Sequence, residues 1–148
     1  MKISFLCANH RAWILEDLRR ADTFWHDWID DAEQGQHYKD GEQVILKLGA
    51  AWDIAYALLD SSWPNVATAA KRFGYSAALL YRALGAARSD LRADVMKRTE
   101  AQLLRLIEAG EARREVFRTL AALDMTMYDE AQVMISPQEQ AKAFQIVH

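Results

Sequence analysis

Cysteine is almost missing from this chain. Cys7 stands alone among 148 residues, which excludes an internal disulfide and any cysteine-built metal site. Proline is nearly as scarce, with two residues, and the six glycines are scattered singly. A phosphate-cradling glycine-rich loop is therefore excluded, and neither Ser61 nor Ser62 has the Gly-x-Ser-x-Gly surroundings of a hydrolase nucleophile. Alternating apolar and polar residues are lacking too, as are Asn-Gly or Asp-Gly hairpin turns. "ISFLC" is the only candidate strand, and it has no partner to pair with. No apolar run approaches the ~18 residues of a membrane helix. The opening "MKISFLCANH" is too short in apolar residues for a signal peptide. A cytoplasmic location without membrane contact is the expectation.

What the chain does have is apolar residues at helical spacing. Hydrophobic residues make up 51% of it, including five tryptophans. Residues 11–33 place Trp13, Ile14, Leu18, Ala21, Trp25, Trp28, Ile29 and Ala32 on one helical face. A second helix is expected over 40–59, with Asp40 and Gln43 as a capping box. Its apolar residues cover more than one face, as in a central, well-buried helix. Asn65 caps a short helix over 66–73, Gly74 interrupts, and another helix covers 77–87. A long helix follows over about 90–123, bent at Gly110. Ser136 and Pro137 open a last one. The expected fold is all-α, a single domain over 1–148. Five or six helices form the bundle, around a central helix-turn-helix-like pair at 65–88.

Charge is segregated along the chain. Residues 1–63 carry six basic and eleven acidic side chains, residues 64–105 eight and three, and residues 106–148 four and seven. A basic middle between acidic flanks fits an anionic partner. Equally, it fits a basic helix packed against acidic ones within one fold. In the last long helix, Glu111 and Glu115 repel each other at a spacing of four, as do Arg114 and Arg118. Pairing with a neighbouring helix would relieve both.

The stretch "VATAAKRFGYSAALLYRAL" concentrates the functional signal. Ala70 is small where a second helix would cross. Gly74 sits where a turn needs positive φ, Ser76 where a cap is needed, and Leu80 where an apolar residue turns inward. "AxxxGxS" followed by "LYR" resembles the helix-turn-helix DNA-binding families over about twenty residues. The resemblance implies a non-enzymatic regulator, most simply a homodimer reading duplex DNA. Lys71, Arg72, Ser76, Tyr81, Arg82 and Arg88 would be the contacts. Few of the outward positions carry base-reading side chains, so phosphate neutralisation would supply the affinity.

Other readings start from other residues. Trp13, Trp25 and Trp28, with Phe24, fit a core, or an apolar Trp-rich groove through which a helical adaptor or chaperone holds a protein partner. His26, Asp30, Glu33 and His37 share one helical stripe, but their spacing is that of a solvated acidic face and no metal is expected. Cys7 and His10 are too close in sequence to identify a nucleophile and its base. No cofactor is implied.

Overall fold

The computed structural model describes residues 5–35, 41–60 and 65–133. These form an all-helical bundle of α1 (Ala8–Leu15), α2 (Leu18–Gly35), α3 (Gly41–Asp60), α4 (Val66–Leu84), α5 (Ser89–Glu108) and α6 (Arg113–Val133). A 3-10 turn at Ala86–Arg88 joins α4 to α5. Among the described residues there is no strand, and Phe5 to Cys7 are irregular. The expected cap at Asp40, the turn at Pro64, the metal-stripe residue His37 and the helix after Ser136 lie outside the described residues.

The helix ends explain where the chain departs from its periodicity. The expected helix over 11–33 is two helices. Asp17 ends the first by capping the second: its carboxylate accepts from the Arg19 N–H at 2.9 Å and its carbonyl from the Ala21 N–H at 3.0 Å. The Arg20 guanidinium closes this corner by donating to the Trp13 carbonyl at 2.5 Å. The expected helix over 90–123 is also two. Gly110, at φ 76°, takes the left-handed conformation, its N–H bonds Ile107 O at 2.9 Å, and the Glu111 N–H bonds Leu106 O at 3.0 Å. These paired bonds satisfy the last carbonyls of α5 in a Schellman ending.

The largest correction concerns Gly74. No turn occurs there: α4 runs unbroken through it from Val66 to Leu84, so the helix-turn-helix-like pair is one helix. Gly74 has no positive φ. It is a glycine because α6 crosses here, and a Cβ at this position would fall on the Thr119 methyl. Ser76 does not cap. Its hydroxyl donates back to the Arg72 carbonyl at 2.8 Å, four residues earlier, as a serine inside a helix does. The true start is Asn65, whose side-chain oxygen accepts from the Thr68 N–H at 3.1 Å.

Helix α4 packs against α3, α5 and α6, and α3 packs against α2. Between α3 and α4 the rings of Trp52 and Phe73 stack with centroids 5.9 Å apart. Around them Leu48, Leu80, Val95, Leu103, Val116 and Leu123 are fully buried. A smaller cluster of Ile14, Ala21, Ile54 and Leu58 lies under α1. Both central helices are buried on several faces, α3 as its sequence predicts.

Candidate functional site

The six cations and polar residues drawn from the helix-turn-helix resemblance do not share a surface. Ser76 is completely buried, with its hydroxyl accepting from the Trp25 indole N–H at 2.8 Å. Tyr81 is half-buried, and the Arg92 guanidinium lies 4.6 Å from its ring centre. Arg72 binds the Asp22 carboxylate at 2.5 Å and lies over the Trp25 ring at 4.9 Å. It also approaches His26 Nε2 at 3.2 Å. Arg88 pairs with Glu42. Only Lys71 and Arg82 point the same way, as residues eleven apart on a helix must. Three of the eight basic residues of this stretch, Arg72, Arg82 and Arg88, are therefore met by acidic residues of other helices in the same fold.

The tryptophans are dispersed as well. Trp25 is buried and Trp28 half-buried between the two apolar clusters. Trp13 is 49% exposed, edge-on to Phe24 with ring centres 5.9 Å apart, and the Arg20 guanidinium covers its face at 4.1 Å. Neither the furrow between α4 and α6 nor the hollow beside Asp17 and Phe24 is lined by any of these three residues.

A groove does exist elsewhere. Between α4 and α6 lies a furrow of about 310 Å³. From α4 come Lys71, Gly74, Tyr75, Ala78, Leu79 and Arg82, and from α6 Glu115, Arg118, Thr119, Ala122, Leu123 and Thr126. Each set repeats at the spacing of one helical face, and the contacts of Gly74 with Thr119 and of Arg82 with Glu130 at 4.0 Å show that the helices run parallel. Small residues at the seam, Gly74, Ala78, Thr119 and Ala122, leave the furrow open. Its floor is apolar. Its rim holds the cations Lys71, Arg82 and Arg118 and the carboxylate of Glu115, with the Glu130 carboxylate beside Arg82.

Tyr75 forms part of one wall, and its hydroxyl donates to Glu33 Oε1 at 2.5 Å. This hydrogen bond to a carboxylate raises the Tyr75 pKa above the ordinary phenol value, with burial adding to it, so the phenol stays a donor. Sequence reading found Lys71 and Arg82, gave Glu115 and Arg118 only as members of like-charge pairs, and did not place Tyr75, Ala78 or the rest of the α6 wall at a site. The signal was the matched spacing of small residues in two separate segments.

Cys7 lies at the start of α1, exposed, where its sulfur accepts from the His10 N–H at 3.5 Å and sits 3.3 Å from His10 Nδ1. Among the described residues no three His, Cys, Asp or Glu side chains gather closely enough to hold a metal ion. No described helix is long and apolar enough to cross a membrane. No family model, curated protein or solved structure matches the chain.

Proposed function

We propose that this chain is a non-enzymatic helical adaptor that holds a segment of a partner protein in the furrow between α4 and α6. The single observation behind this reading is the furrow itself, an apolar floor with a rim of three cations, Glu115, and the Glu130 carboxylate beside Arg82. An amphipathic helix with small apolar residues on one face and carboxylates beside them complements it. The apolar face covers the floor, and the acids meet Lys71, Arg82 and Arg118. Helix-in-groove recognition of this kind draws its affinity from apolar burial and its orientation from the charged rim.

The test compares acidic-flanked and basic-flanked amphipathic peptides, and duplex DNA, by fluorescence anisotropy at two salt concentrations. The adaptor reading expects the acidic peptide to bind and Ala78→Arg, which fills the floor, to abolish that binding. Duplex DNA is the rival occupant, because the same three cations could neutralise phosphates. Retention on DNA that falls steeply with salt, in the absence of peptide binding, would replace the adaptor reading with the DNA-binding one.

A further inference from the structure

The outer face of α6, turned away from the core and bordering the furrow only at Arg118, has an apolar stripe. Phe117 and Met125 are each 58% exposed and Tyr128 is 60% exposed. Exposed Ala121 lies between them. The four recur at spacings of four, four and three, so they share one side of the helix, with exposed Arg114 on the same side one turn before Phe117. At about 100° per residue, Arg118 and Asp129 flank one edge of the stripe, and Arg113 and Asp124 the other. All four charged side chains are exposed, and among the described residues none of them enters an ion pair.

The pattern is self-complementary about Ala121. Phe117 and Met125 lie equally far before and after it, as do Arg114 and Tyr128, and each edge has an arginine before it and an aspartate after it. We infer that α6 pairs antiparallel with α6 of a second copy of this chain, with the two-fold axis passing at Ala121. The small Ala121 side chain lets the two backbones approach. Phe117 of one copy stands level with Met125 of the other. An antiparallel two-fold keeps each edge of the stripe on its own side. Arg118 of one copy then runs beside Asp129 of the other, and Arg113 beside Asp124, within reach of long arginine side chains.

A parallel pair does the reverse. It sets Arg118 beside Arg113 and Asp124 beside Asp129, gathering like charges at both ends. Charge complementarity therefore selects both the occupant and its direction. One helix face from each copy makes a small interface, so a weak, reversible dimer is expected.

Sedimentation equilibrium of the whole chain tests this. The expected result is a reversible dimer, converted to monomer by Ala121→Arg with unchanged helical circular dichroism. Arg118→Asp alone and Asp129→Arg alone should each weaken the dimer at least about tenfold, and the double variant should recover it. Direction is read by disulfide trapping in a Cys7→Ser background. Phe117→Cys chains mixed with Met125→Cys chains should cross-link, while Phe117→Cys alone should not, because its two copies lie about 12 Å apart along the axis. A monomer at all concentrations up to the hundred-micromolar range would overturn the inference. So would cross-linking of Phe117→Cys to itself, or a dimer indifferent to Ala121→Arg.

Discussion

The indole N–H of Trp52 on α3 donates to the hydroxyl of Thr99 on α5 across 3.0 Å, and both side chains are buried. The hydroxyl in turn donates to the Val95 carbonyl at 2.7 Å. The same device joins α2 to α4 through Trp25, Ser76 and the Arg72 carbonyl. A hydroxyl can do this because it accepts and donates at once. Thr99→Val keeps the shape but leaves the indole without an acceptor. It should cost about 1–3 kcal/mol, and Thr99→Ser less. Urea denaturation followed by tryptophan fluorescence measures both, and a Thr99→Val protein as stable as the parent would remove the bond from the account.

Gly74 gives the clearest test of the unbroken α4. In an open helix, replacing glycine by alanine stabilises by about 1 kcal/mol. Here the new Cβ meets the Thr119 methyl, so Gly74→Ala should destabilise instead, by about 1–3 kcal/mol. Thr119→Ser removes that methyl while keeping the hydroxyl, which donates to the Glu115 carbonyl at 2.8 Å. The double variant should recover most of the loss. Two additive losses in the double-mutant cycle would mean that α4 and α6 do not touch at this point.

The same residues show how far the sequence could be read. Helical periodicity gave the all-α class and the buried α3, because apolar spacing reports burial directly. Gly74 and Ser76 were ambiguous, since each is as much at home in a close helix crossing as in a turn. A single sequence does not say whether another helix comes near. Asp17 went unread as a boundary because neither glycine nor proline accompanies it, only one capping carboxylate. The furrow was hidden for a further reason: its walls lie forty-odd residues apart, and parallel packing of α4 on α6 is a tertiary fact.

Glu100 on α5 carries a pH signature. Burial raises its pKa above the ordinary carboxylate value, and the charge of Asp124 on α6 raises it further. A carboxylic acid with a raised folded-state pKa is more easily kept protonated in the folded chain. Its ionisation therefore costs stability, and the cost grows as pH rises from the unfolded value through the folded one. Glu100→Gln removes that cost. The variant should melt higher than the parent at pH 7 and no higher at pH 4. Equal melting temperatures at both values, by calorimetry, would contradict the assigned environment.

Ala112 adopts φ 46° between α5 and α6. This left-handed conformation costs an L-residue about 1 kcal/mol or more, and glycine almost nothing. The half-buried alanine methyl offsets part of the gain. Ala112→Gly should thus be neutral to stabilising by up to about 1 kcal/mol, where glycine substitution usually destabilises. Loss of more than about 1 kcal/mol in a urea titration would mean that the methyl contact outweighs the backbone strain.

Asp53 holds the start of the described chain in place. One of its carboxylate oxygens accepts from the Phe5 N–H at 2.6 Å and from the Leu6 N–H at 2.8 Å. The Phe5 ring lies on Gly49, where a Cβ would strike it, and stands edge-on to Trp52 with ring centres 6.3 Å apart. Hydrogen bonds to a charged acceptor are each worth about 1.5–3 kcal/mol. Asp53→Ala should therefore release Phe5 and Leu6, and Gly49→Ala should do so from the other side by displacing the ring. Amide exchange reads the effect at these two residues: protection should fall in both variants while the α3–α4 core keeps its own. If Phe5 and Leu6 stay protected in Asp53→Ala, the segment is held by the ring alone and Gly49→Ala becomes the only variant that frees it.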